Sequence, residues 1–213
     1  MKKAIVIGST GLVGTALVSQ LLENDNYSEV ISFVRRKSDS AHPKLTEHIV
    51  DFDKPDLWKN LVKGDVLFSA MGTTIKAAKT KDNQYKVDYT YQFETAKAAC
   101  ESGVPVYVLV SSAGASSSSL NFYTNMKGKL EDSVKLLPFK TIQILQPGQL
   151  DGNRKEHRTG EKMALKMMHF FNKMGFLMKY RPIQGSEVAR FMIMIAEKPV
   201  SGVYKLDELF KIK

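Results

Sequence analysis

The chain has 213 residues, 43% of them hydrophobic, which is long for one domain, short for two, and too apolar for a disordered protein. Its net charge of +9 suits an anionic ligand, a nucleic acid or a lipid surface, but the 31 basic and 22 acidic residues are spread along the chain without a run of five or six like charges. No apolar stretch approaches the ~18 residues of a membrane span, and the lone Cys100 excludes both an intrachain disulfide and a thiolate metal cluster.

Lys3–Ile7 is a compact apolar run that ends at a glycine and reads as a buried first strand. It is too short for the apolar region of a signal peptide, and with no targeting segment in view the expected location is the cytoplasm. A glycine turn follows, and then Thr15–Asn24, where Ala16, Leu17, Leu21 and Leu22 fall close to helical spacing. Glu29–Val34 reads as the second strand and Thr46–Val50 as a weaker third. Pro55–Val62 predicts a short helix with its proline in the first turn. Asp65–Ala70 is the fourth strand. Asn83–Ser102 predicts one long helix with Val87, Tyr91, Thr95 and Ala98 along one side and Gly103 as its stop. Val104–Val110 is the fifth strand, Leu120–Leu137 a helix ended by Pro138, and Thr141–Leu145 the sixth strand. Glu187–Glu197 predicts a helix carrying Val188, Phe191, Met192 and Ile195, and Gly202–Leu206 a short strand or extended segment.

Strands alternating with helices predict an α/β fold with a doubly wound parallel sheet. The right-handed crossover rule makes 3-2-1-4-5-6, the Rossmann order, the leading topology, with the ligand crevice at the carboxyl ends of strands 1 and 4. Residues 1–213 read as a single domain, in which 146–213, too few for a domain of their own, form a small substrate-side cap.

The turn after the first strand is Gly8-Ser9-Thr10-Gly11-Leu12-Val13-Gly14. In a dinucleotide site the first glycine permits the tight turn, the second lets backbone amides approach pyrophosphate, and the third lets the helix sit close to the sheet. The helix start then holds the phosphates through its free amides and dipole. The second strand ends in Arg35-Arg36-Lys37, with Arg35 standing 21 positions after Gly14, where an NAD site would offer a carboxylate to the ribose. A guanidinium there suits a 2′-phosphate, so NADP(H) is preferred and NAD(H) remains possible. Asp51 and Phe52 follow the third strand, where an acid can accept from an adenine amino group while its neighbour packs on the ring. An ordinary turn acid is the other reading.

The fifth strand ends at Ser111-Ser112, and Tyr123-x-x-x-Lys127 follows, placing tyrosine and lysine on one helix face. A free tyrosine ionises near pH ~10, so it needs a cation beside it to act near neutrality, while a serine hydroxyl can hold a carbonyl oxygen. The histidines, 42, 48, 157 and 169, are scattered without the spacing of a metal site, and no metal is expected.

These residues resemble the short-chain dehydrogenase/reductase superfamily in its extended and atypical branches. Gln146-Pro147-Gly148 adds to that likeness, and the closer resemblance, carried by Met71-Gly72-Thr73-Thr74 and the stretch from Asn121-Phe122-Tyr123 to Lys127-Gly128, is to the small oxidoreductases related to the Tat-interacting-protein family. That resemblance implies NADP(H) at the glycine loop and Arg35, Met71-Gly72-Thr73 lining the cofactor, and Pro147-Gly148 facing the nicotinamide. It also implies Tyr123 and Lys127 as the catalytic pair, with Ser112 or Ser111 orienting a carbonyl. Gln146 departs from the arginine usual before that Pro-Gly.

The expected activity is reduction of a small carbonyl substrate. The competing reading is a non-catalytic NADP(H) sensor that engages a protein partner through Met163, Met167, Met168, Met174 and Met178, interspersed with Phe170, Phe171 and Phe176. The same segment could instead serve as a lid or a homodimer contact. Nucleic-acid binding is not expected, because the basic residues do not cluster.

Overall fold

The computed structural model describes residues 1–38, 40–151, 182–205 and 208. In chain order the strands are β1 (Lys2–Ile7), β2 (Tyr27–Val34), β3 (Leu45–Ile49), β4 (Val66–Ser69), β5 (Val106–Val110), β6 (Thr141–Gln146), β7 (Leu150–Asp151), β8 (Ile183–Gln184) and β9 (Gly202–Lys205). Seven of them pair in parallel in the order β3-β2-β1-β4-β5-β6-β9, and β7 pairs with β8 apart from that sheet. The Rossmann order predicted for the first six strands is therefore the order found.

Parallel strands covered on both faces read as continuous apolar runs, and side-chain alternation sends successive residues into opposite cores. In β1, Ala4 and Val6 join one core while Ile5 and Ile7 join the other. The first core is closed by α1 (Leu12–Leu22), through Val13, Leu17 and Leu21. The second is closed by Ala96 and Ala99 of α4 (Tyr91–Glu101) and by Leu130 and Val134 of α5 (Phe122–Lys135). Ahead of α4 lie two short helices, α2 (Ile75–Ala78) and α3 (Lys81–Tyr85).

Within the expected cap of residues 146–213, the described stretch 185–205 belongs to the wound sheet. Helix α6 (Gly185–Ala196) lies on the α1 face of the sheet, with Val188, Phe191, Met192 and Ile195 in the same core as Leu17 and Leu21. Strand β9 extends the main sheet, pairing Gln143 with Gly202 and Gln146 with Lys205. Residues 185–205 thus complete the wound sheet. The methionine-rich segment from Met163 to Met178 lies outside the described residues.

Two helices are broken where single elements were expected. Pro55–Val62 forms two 3₁₀ turns, Pro55–Leu57 and Lys59–Leu61. Between them Trp58 turns inward, with φ −132°, to 2% exposure, and its indole N–H donates to the Asp51 carbonyl at 2.9 Å. A φ that extended cannot continue a helix. Asn83–Ser102 divides into α3, a π turn over Lys86–Thr90, and α4. The buried residues before Thr95 are Gln84, Asp88 and Gln92, while Val87 and Tyr91 are only half-buried.

Candidate active site

The glycine loop joins β1 to α1 under close backbone approach. Gly8 has φ +79°, and a Cβ there would stand 2.5 Å from the carbonyl of Ala70 and the amide of Met71, just past β4. A Cβ on Gly14 would stand 2.0 Å from the Gly8 oxygen. Gly11 is the N-cap of α1, and no side chain caps that end, which leaves first-turn amides for a ligand. Thr15 Oγ1 donates to the Ser9 carbonyl at 3.2 Å, whereas the Ser9 hydroxyl is buried and has no hydrogen-bond partner among the described residues. An uncapped helix start, a tight glycine turn and an unpartnered hydroxyl fit a bound pyrophosphate.

Arg35 and Arg36 are exposed directly beyond β2, and among the described residues neither forms an ion pair. Asp51 is exposed beyond β3, 3.5 Å from Lys54. Phe52 corrects its expected role. Its ring is 5% exposed, stacked on Tyr91 at 5.4 Å and edge-on to Trp58 at 5.5 Å. Apolar burial has drawn it into the core, so it supports the loop from beneath and presents no face to an adenine.

At the other end of the crevice, the Met71–Thr73 loop leaves β4 and Ser111-Ser112 leaves β5. Asn121 starts α5 by accepting the amides of Tyr123 and Thr124 at 2.9 and 3.2 Å. Tyr123 is 36% exposed, and Lys127, one turn further on, is buried with its Nζ 6.0 Å from the Tyr123 ring centre. The Lys127 ammonium lies 3.0 Å from Oδ1 of Asp88. Burial works against the lysine charge, but the Asp88 carboxylate, Tyr123 and Glu131 outweigh it and hold Lys127 above the ordinary lysine range. Oδ2 of Asp88 accepts the Thr73 amide at 2.8 Å, and Gln84 donates to the Thr73 carbonyl at 3.3 Å. Gln92 accepts the Ser69 hydroxyl at 2.7 Å and donates to the Asp88 carbonyl at 2.8 Å.

The two serines have different neighbours. Ser111 is buried and donates to Glu131 at 2.5 Å. Gln146, the residue that replaces the usual arginine, donates to both oxygens of Glu131 at 2.9 and 3.0 Å. Ser112 is half-buried, and among the described residues its hydroxyl has only a 3.4 Å contact with the Ala113 carbonyl. Ser112 is therefore the more available hydroxyl. The Ala113 amide donates to the Pro147 carbonyl at 2.9 Å, which fixes the Pro147-Gly148 turn beside the β5 terminus.

Met71–Thr73, Ser112 and Pro147 thus lie beyond the carboxyl ends of β4, β5 and β6, the glycine loop beyond β1, and Arg35 beyond β2. The sequence reading missed Gln84, Asp88, Gln92 and Glu131. Their signals were a four-residue polar spacing through a helix and a glutamate one turn after Lys127.

A family model described as NAD(P)H-binding matches residues 8–199. "Protein FMP52, mitochondrial" of Meyerozyma guilliermondii is 36% identical over 205 residues, covering 94% of this chain and 88% of its own length. The protein of the same name from Candida albicans is 34% identical over 206 residues, covering 94% and 90%. Among solved structures, the Bordetella bronchiseptica enzyme WbmG in complex with NAD superposes with a TM-score of 0.72 at 13% identity, over 96% of this chain and 72% of that one. A UDP-glucose 4-epimerase from Thermotoga maritima gives 0.70 at 15%, over 98% and 80%. At such identity these two show the fold alone. The names of the fungal relatives overturn the cytoplasmic expectation and point to mitochondria. That expectation rested only on no targeting segment being recognised beside the first strand.

Proposed function

The chain belongs to the NAD(P)H-binding family, with a Rossmann fold of the atypical short-chain dehydrogenase/reductase kind, and on that premise we propose that it is an NADP(H)-dependent reductase of a small carbonyl substrate. The observation that carries this reading is the pairing of a solvent-reaching Tyr123 with a buried, charged Lys127 beyond the strand termini that hold Ser112 and Pro147.

The glycine loop and the first-turn amides of α1 hold the pyrophosphate, and Arg35, with Arg36 beside it, holds the 2′-phosphate by charge-assisted contacts. Met71, Gly72, Thr73 and Pro147 line the nicotinamide end, where the cofactor supplies hydride. Ser112 orients the carbonyl oxygen of the substrate. Tyr123 donates its phenolic proton to that oxygen as negative charge develops there, and Lys127 stabilises the phenolate left behind.

Tyr123→Phe removes the proton donor and leaves the ring. Turnover of a carbonyl panel with NADPH is expected to fall about 10²–10⁴-fold, with NADPH affinity changed little. Unchanged turnover with NADPH bound would overturn the mechanism. A parent protein that binds NADPH tightly and reduces no carbonyl would favour the sensor reading.

A further inference from the structure

We propose that Asp88 is the positioning residue of this site: it ties Lys127 to the Met71–Thr73 loop and offsets the lysine charge that faces Tyr123. The charge part of this proposal rests on the reductase reading, and the tie between the elements does not.

The observation is a carboxylate 1% exposed whose two oxygens serve two different elements. Oδ1 meets the Lys127 ammonium of α5, and Oδ2 accepts the Thr73 amide of the loop after β4. A buried ion pair is a poor source of stability, because both charges lose water and a well-packed apolar pair often does as well. Its presence here calls for a role beyond stability. The contacts around it supply one. Gln84 donates to the Thr73 carbonyl and Gln92 accepts the hydroxyl of Ser69, the last residue of β4, so the same segment grips both ends of the loop. Gly72 keeps the approach close, since a Cβ there would stand 3.3 Å from Oδ1 of Asp88. The carboxylate is presented from the π turn over Lys86–Thr90, a distortion that recurs at functional positions in helices.

Among the described residues, three ionisable groups face the Lys127 ammonium: Asp88 from the π turn, and Tyr123 and Glu131 from its own helix. Glu131 adds a smaller attraction and is itself bonded by Ser111 and Gln146 and paired with Lys135 at 3.7 Å. Asp88, 3.0 Å from the ammonium, is therefore the partner that offsets most of its field at the Tyr123 ring. Lys127 then acts on Tyr123 as half of a near-neutral pair, and the pair moves with the loop that lines the cofactor.

The test uses Asp88→Asn, which keeps an acceptor for the Thr73 amide and removes the charge. Two readouts are followed: the pH profile of kcat, and the tyrosinate absorbance contributed by Tyr123, isolated by subtracting the matching Tyr123→Phe protein. The absorbance needs neither cofactor nor turnover. Both are expected to move to lower pH by about one unit or more, while NADPH affinity changes less than about threefold. Curves that superimpose on the parent's would overturn the proposal. The double variant Asp88→Asn with Lys127→Met removes the pair as a unit and keeps the test open if the single variant does not fold. Its Tyr123 absorbance curve is expected to lie close to the parent's. A move to higher pH would show that Lys127 acts unopposed and would refute the offset. Failure of the reductase reading shows separately, as turnover that survives Tyr123→Phe.

Discussion

Replacing Lys127 by methionine is expected to lower the stability of the protein by about 3–5 kcal/mol, because it strands Asp88 as a buried charge without its cation. Lys127 is 2% exposed and Asp88 1%, so water cannot take the place of the lost partner. The loss arises from the unpaired charge rather than from packing, since methionine retains most of the aliphatic volume. Adding Asp88→Asn to Lys127→Met should therefore restore most of the stability, even though a second native residue is gone. Chemical denaturation of the three proteins measures this directly. Equal stability of the parent and the single variant would mean that the pair is solvated, and costs that simply add would mean that the two residues are uncoupled.

Gly14→Ala is expected to abolish useful cofactor binding. Its Cβ would stand 2.0 Å from the Gly8 oxygen and 2.8 Å from the Ser9 Cα, both backbone atoms that cannot rotate away. The loop must shift, and overpacking of this kind costs about 1–3 kcal/mol in stability. The same shift displaces the amides and the Ser9 hydroxyl assigned to the pyrophosphate, so NADPH affinity should fall at least about tenfold, equivalent to about 1.4 kcal/mol. Gly103→Ala supplies the contrast. Gly103 has φ +78° with nothing among the described residues within 4 Å of a Cβ, so alanine there adds backbone strain of roughly 1–2 kcal/mol and should leave NADPH affinity unaltered. Isothermal titration of both variants separates the two effects. Normal NADPH affinity in Gly14→Ala would contradict the assignment of the glycine loop as the phosphate cradle.

The sheet was readable because a parallel strand buried on both faces leaves a continuous apolar run. Val104–Val110 and Ala4–Ile7 announce themselves that way, and the glycine loop between the first strand and helix fixes their meaning. β9 was not readable in the same way. Gly202–Lys205 alternates between half-buried and exposed at the sheet edge, so nothing in its composition separates an edge strand from an extended tail. The place of α6 was equally hidden. Its apolar face was legible, but its packing on α1 depends on a close approach at Gly185, where a Cβ would meet Leu12 at 2.9 Å. Trp58 broke an expected helix because its burial outweighed local propensity.

Within the site, the residues that face ligands were legible and those that hold them were not. Tyr123, Lys127 and Arg35 stand out by spacing from a strand end or from the glycine loop. Asp88 and Glu131 are charged residues in helices, and such residues are ordinarily exposed, so their burial shows only once α4 and α5 are packed against the strand termini. The Ser111–Ser112 ambiguity had the same origin. Only the position of Glu131 shows that Ser111 is engaged inside, while Ser112 keeps just a long contact to Ala113 among the described residues.

The most direct test of an NADP(H) site is titration of the purified protein with NADPH and with NADH, repeated on Arg35→Ser. A charge-assisted contact to the 2′-phosphate is worth about 1.5–3 kcal/mol, so NADPH should bind about ten- to a hundredfold more tightly than NADH, and Arg35→Ser should remove most of that difference. Equal affinity for the two dinucleotides, or a difference that survives in Arg35→Ser, would contradict it.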